Sequence, residues 1–201
     1  MSTIRSICVY CGSSPGRGEV YLEAGRLLGR SIAASGLRLV YGGGTKGIMG
    51  AVAAGARGAG GKVMGIIPRF LMNTEATESA LARLDELVVT EDMHERKHRM
   101  FEESDAFVAL PGGIGTVEEI VEIMTWAQLG RHRKPIVYGN IDGFWNPMLK
   151  LIDHMRAEGF VHTAHLVQPL VVDTAEGIVP AILEAVEPGR AGGDSAVIER
   201  L

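Results

Sequence analysis

The chain has 201 residues, 46% of them hydrophobic, which suits one domain with a full core. Twenty Lys and Arg stand against 24 Asp and Glu, a formal charge of −4, so no basic field argues for nucleic acid or a membrane surface. The apolar run that follows Arg5 is too short for a signal-peptide core or a membrane span, which points to a soluble, cytoplasmic protein.

Ser6 to Tyr10 predicts a short strand, which ends in Cys11-Gly-Ser-Ser-Pro-Gly16. A helix is expected from about Glu19 to Ser35, stopped before Gly36. Leu37 to Tyr41 is the next strand, followed by Gly42-Gly-Gly-Thr-Lys-Gly47 and an Ala/Gly-rich helix from Ile48 to about Ala59. Lys62 to Ile67 is a third strand, stopped by Pro68, and Phe70 to Leu84 reads as loop with a short helical piece. Glu86 to Thr90 is a strand, after which Asp92 caps a helix running to about Glu103. The apolar run Ala106 to Leu110 breaks at Pro111, passes Gly112, Gly113 and Gly115, and restarts at Thr116 as a helix reaching about Leu129. Pro135 to Gly139 is a strand and Phe144 to Glu158 a helix ended by Gly159; Leu170 to Val172 and Ala175 to Val186 are the last strand and helix. Residues 187–201 read as a flexible tail, which leaves 1–186 as one Rossmann-like α/β domain, a parallel sheet with helices on both faces.

In such a sheet, ligands sit beyond the strand C-termini, near the switch in strand order. Three strands end in glycine or serine loops: Cys11 to Ser14, Gly42 to Gly47, and Gly112 to Thr116. A strand, a glycine turn and a helix start together make an anion site, because free N–H groups and the helix dipole converge there. Thr116 is a natural N-cap whose hydroxyl either caps the helix or touches the anion. Thr116-Val-Glu-Glu119 also reads as a capping box, with Glu119 reaching back to the Thr116 amide. Three such loops on one edge favour a phosphorylated ligand over plain turns.

Other motifs carry less. Cys8 and Cys11, the only cysteines, form Cys-x-x-Cys, but residues three apart along a strand point to opposite faces, so reduced structural thiols are expected. Gly42-Gly-Gly-Thr-Lys-Gly47 matches G-x-G-x-x-G, yet the next strand ends Gly65-Ile-Ile-Pro68 without an acidic residue for a ribose, and Lys46 is not placed as in a P-loop. His94-Glu-Arg-Lys-His98 is a literal H-E-x-x-H with Glu118 beyond it, but Arg96 and Lys97 would crowd a zinc ion, and ordinary helix histidines fit better. Phe144-Trp-Asn-Pro147 reads as core aromatics, and His162 and His165 as loop histidines.

Arg96 and Lys97 open a helix directly after a strand, which puts them at the edge that holds the glycine loops; the alternative is a solvated basic face paired with Glu91 and Glu95. Glu119 shares a helical face with Ile123 and Trp126, and a carboxylate beside apolar groups can act as a base or stabilise a cation.

Pro111-Gly-Gly-Ile-Gly-Thr-Val-Glu-Glu119 fits P-G-G-x-G-T-x-x-E, and Met93-His-Glu-Arg-Lys97 fits the M-x-x-R-K that accompanies it. With Gly42-Gly-Gly-Thr-Lys-Gly-Ile-Met-Gly50 and Thr125-Trp-Ala-Gln-Leu-Gly130, these resemble the LOG ("lonely guy") family of cytokinin riboside 5′-monophosphate phosphoribohydrolases, once labelled lysine decarboxylases, from about Ile7 to Val186. The resemblance implies hydrolysis of the N-glycosidic bond of a nucleoside 5′-monophosphate, N6-modified AMP or AMP itself, to free base and ribose 5-phosphate. It implies Arg96 and Glu119 as catalytic residues. Lys97, Gly112, Gly113, Gly115, Thr116, Gly43, Gly44 and Thr45 would bind substrate, and Pro68-x-x-Leu71-x-x-x-Glu75 adds Glu75, although the Asn-Thr-Glu-Ala-Thr around it departs from the commoner pattern. It further implies a homodimer or higher homo-oligomer with sites near the subunit interface, and no metal or organic cofactor. Two other classes stay open: a pyridoxal-phosphate decarboxylase using Lys46 or Lys97, and a non-enzymatic carrier of a nucleotide-like cofactor such as molybdenum cofactor.

Overall fold

Short apolar runs, each closed by a glycine or polar turn, form seven strands in a computed structural model that describes residues 4–77, 81–82, 84–161 and 168–187. The order is β1 (Ser6–Tyr10), α1 (Glu19–Ala34), β2 (Arg38–Tyr41), α2 (Gly47–Gly58), β3 (Val63–Pro68), a 3₁₀ turn (Arg69–Leu71), α3 (Met72–Glu75) and β4 (Glu86–Thr90). It continues α4 (Met93–Glu102), β5 (Ala106–Ala109), α5 (Ile114–Gln128), β6 (Ile136–Gly139), a second 3₁₀ turn (Ile141–Gly143), α6 (Asn146–Ala157), β7 (Leu170–Val172) and α7 (Ala175–Val186). Every strand pairing is parallel, in the order β4-β3-β2-β1-β5-β6-β7. The order turns back between β1 and β5, the switch point at which a parallel sheet opens a crevice.

Successive strand residues face opposite sides, so each strand feeds two cores. Ile7, Val9, Leu39, Val108 and Leu110 pack with α1, α2 and α7, whereas Cys8, Tyr10, Val40, Phe107 and Ala109 pack with α4, α5 and α6. The expected elements appear with boundaries shifted by a residue or two, and two of these shifts have a visible cause or consequence. The helix expected from Phe144 starts at Asn146, after a 3₁₀ turn. Trp145 is pinned there: its backbone N–H donates to Asn140 Oδ1 (2.9 Å) and its indole N–H to the Ala109 carbonyl (3.0 Å). The helix expected from Thr116 starts two residues early, with consequences for the site taken up below. His162, His165 and residues 188–201 lie outside the described residues.

The tightest interface between helices joins α1 to α2. A Cβ added at Gly29 would overlap the Val52 carbonyl, and one at Gly55 the Arg26 carbonyl, so the two backbones touch. Backbone cannot step aside as a side chain can. Gly29→Ala is therefore expected to lower stability by about 1–3 kcal/mol. Gly58→Ala, where a Cβ meets nothing within 4 Å, gains roughly 0.5–1 kcal/mol as glycine leaves a helix. Urea unfolding of both variants checks the contrast.

Candidate active site

The loops after β2, β1 and β5 lie side by side because their strands are neighbours in the sheet. The Gly12 amide donates to the Pro111 carbonyl (3.0 Å), lacing the first loop to the third. The Gly12 carbonyl accepts from Ile48 (3.0 Å) and Met49 (3.2 Å), so the second and third amides of α2 are already engaged by the protein. The start of α5 differs. Gly113 is its N-cap with extended backbone, and the first turn closes with Val117 donating to the Gly113 carbonyl (3.1 Å). The amides of Ile114, Gly115 and Thr116 precede that bond and have no acceptor among the described residues, as a helix start requires. A cavity of about 310 Å³ lies against them, walled by Cys11 to Ser13, Gly42, Met49, Met100, Arg96 and Glu119.

Thr116 is thus a third-position helix residue and not the N-cap, which corrects the capping-box expectation. Glycine serves as an N-cap almost as well as threonine, and the chain uses Gly113. Thr116, 4% exposed, packs its hydroxyl over Gly112 so closely that a Cβ on Gly112 would overlap it.

Asp92 caps α4 through its Oδ1, which accepts the Glu95 amide (2.8 Å), and the following turn sends Arg96 into the cavity wall. Its Nη1 lies 3.2 Å from Glu119 Oε1, with the two side chains only 7% and 10% exposed. Arg96 Nε also donates to the Ile66 carbonyl (3.2 Å) and Nη2 to the Gly42 carbonyl (3.4 Å). Charges this buried persist only when paired and hydrogen-bonded, and these are. A carboxylate paired with a guanidinium beside three unused amides can face a cation while a phosphate sits on the amides.

A family profile described as possible lysine decarboxylase matches residues 49–182. The cytokinin riboside 5′-monophosphate phosphoribohydrolase of Rhodococcoides fascians is 46% identical over 180 residues, 90% of each chain. The chain belongs to the LOG family. The fold is shared with a solved structural-genomics target, TM1055 (26% identity, 90% of this chain and 99% of that one, TM-score 0.70). It is shared too with the molybdenum cofactor carrier protein of Chlamydomonas reinhardtii (23%, 90% and 98%, TM-score 0.65), a likeness that shows the fold alone.

The LOG motifs fall unevenly around the cavity. Arg96, Glu119, Gly113, Gly115 and Thr116 line it. Gly43, at φ +75°, packs against Ile67, and Gly44 against Met49; with Thr45 they form the adjoining β2 loop, of which Gly42 reaches the cavity wall. Glu75 ends α3, and its side chain lies outside the described residues. Lys97 is not in the wall: its ammonium sits between Glu118 and Glu122 Oε1 (3.2 Å). Burial pulls the Lys97 pKa down, but the two carboxylates outweigh it, and the net direction is up. The carbonyls of Ile66 and Gly42 leave no side-chain signal in a sequence, and Met49, inside the Gly42 to Gly50 motif, is not singled out among the expected site residues.

The remaining motifs serve the fold. His94 and His98 are exposed, His98 facing Glu102 (3.1 Å), and Glu118 is engaged by Lys97. Among the described residues, no group of three or more His, Cys, Asp or Glu could hold a metal ion. A roomier hollow, about 680 Å³, lies at the opposite sheet edge, where Arg38 pairs with Glu103 (2.8 Å) and Glu86 (3.3 Å) and Asp105 accepts the amides of Arg5 and Ser6. Cys8 and Cys11 are free, buried and in different cores.

Two outcomes follow. Arg96→Met is expected to cost about 3–5 kcal/mol, because it strands a buried carboxylate, and Arg96→Met/Glu119→Leu to cost less than the single change; urea denaturation of the pair decides, and simple additivity would refute the coupling. Burial raises both thiol pKa values, with the Glu119 charge adding to the rise at Cys11. Ellman's reagent at pH 8 should therefore label the native chain at least about 100-fold more slowly than the chain in guanidinium.

Proposed function

We propose that the chain hydrolyses the N-glycosidic bond of cytokinin riboside 5′-monophosphates, N6-modified AMP, and of AMP. The observation that carries the reading is the meeting, in one cavity, of three unused helix-start amides with the buried Arg96–Glu119 pair. The name of the Rhodococcoides fascians relative, similar over nine-tenths of both chains, points the same way. The amides of Ile114, Gly115 and Thr116 take the 5′-phosphate, helped by the α5 dipole. Phosphate binding at a distance from C1′ supplies positioning energy. Breaking the bond builds positive charge on the ribose. Glu119 stabilises that charge and orients water, while Arg96 pairs with the carboxylate and aims it. Water adds to C1′ as the bond to the base breaks; the bonding pair leaves with the base, the water proton ends on the base nitrogen, and ribose 5-phosphate remains. A cytoplasmic homodimer belongs to the same proposal.

The decarboxylase reading asks for an unprotonated lysine. Lys97 is held the other way by its two carboxylates, and Lys46 is exposed. The cofactor-carrier reading has only the shared fold behind it.

Incubation with isopentenyladenosine monophosphate or AMP should release free base and ribose 5-phosphate. Glu119→Gln, which keeps an oxygen for Arg96, should still fold, with lowered stability, and lose about 10²- to 10⁴-fold in kcat. Bound but intact nucleotide with the wild-type chain, or an unimpaired Glu119→Gln, would overturn the assignment.

A further inference from the structure

We infer that Lys97 is a positioning residue: by gripping Glu118 and Glu122 it fixes the roll of α5, and so holds Glu119 at its working place. The inference rests on the hydrolase reading above.

Neighbouring residues on a helix point about 100° apart. Arg96 therefore turns into the cavity while Lys97, next to it on α4, turns along the outer side of α5. There it meets Glu118, the residue before Glu119, and Glu122, one turn further on. Lys97 is 11% exposed, against 50% and 27% for its partners, so this is not an ordinary solvated pair. Two consecutive cations on α4 thus hold carboxylates on both sides of α5, one inside the cavity and two outside.

The magnitude of the effect follows from helix geometry. A side chain sits about 5–6 Å from the helix axis, so a roll of about 10° moves it about 1 Å. A misplacement of about 1 Å at a reacting group can cost about 100-fold in rate. The apolar contacts beneath α5, among them Ile120, Ile123 and Ala127, hold it on the sheet from one side, and Lys97 adds a directional restraint from the other. A cation held at two points four residues apart defines both roll and axial slip.

The test is a mutant cycle on a nucleotide that the wild-type chain is first shown to turn over; failure at that first step strikes the hydrolase reading and not Lys97. Lys97→Met should lower kcat about 10- to 100-fold with KM within about threefold. Glu118→Gln/Glu122→Gln, changed on the outer face, should reproduce that loss, and the triple variant should be no worse than either. Lys97→Arg should restore most of the rate. Independently of turnover, the stability coupling between Arg96 and Glu119 in urea should fall by at least half in the Lys97→Met background. A raised KM with kcat intact, losses that multiply in the triple variant, or a glutamine pair with wild-type rates would show that Lys97 acts on substrate directly and overturn the inference.

Discussion

A guanidinium and a carboxylate shut away from water constrain everything around them. Each would be intolerable alone in the low-dielectric wall of the cavity, so α4 and α5 must approach closely enough to join Arg96 to Glu119. Further guanidinium donors are met by backbone, at Ile66 where β3 nears its end and at Gly42 just beyond β2, and Nη1 also reaches Met93 Sδ (3.9 Å). One side chain thus ties together two strand ends and two helices. The requirement explains why the β2 loop carries glycine at 42: a Cβ there would overlap the Arg96 guanidinium.

Around this anchor the sheet divides the labour. The switch between β1 and β5 opens the crevice, and Gly12, Gly42, Gly113 and Gly115 of the glycine loops lie in its wall. On the proposed reading, charge recognition falls to amides held by a helix, which would need no reorganisation when an anion arrives. The Glu119 carboxylate comes from the same helix one turn further in, so the placement of α5 sets the position of both groups.

Much of this was legible in the sequence, because the signals were local. Alternating apolar runs gave the strands, and glycine spacing marked the three loops before their adjacency was known. The spacing of Cys8 and Cys11 placed them on opposite faces, as the two cores confirm. What escaped depended on distant geometry. Whether α5 begins at Gly113 or Thr116 turns on which of two acceptable caps packs better, and the crowding of Thr116 against Gly112 is a tertiary fact. Glu119 has two plausible uses from sequence, reaching back to a helix amide or across to a cation; only the approach of α4 chooses between them. Lys97 reads identically whether it faces a cavity or two glutamates, since the roll of a helix is written in no single residue.

The Gly12 carbonyl has a further bearing on what the crevice can accept. By occupying the Ile48 and Met49 amides, it takes away from α2 the electropositive mouth that α5 keeps open. Polyphosphate tails and paired nucleotides are gripped at successive phosphorus atoms, and of these two helix starts only one offers a berth. On the proposed reading, a single terminal dianion would find its place on α5, whereas a further phosphoryl group reaching the start of α2 would meet the Gly12 carbonyl oxygen.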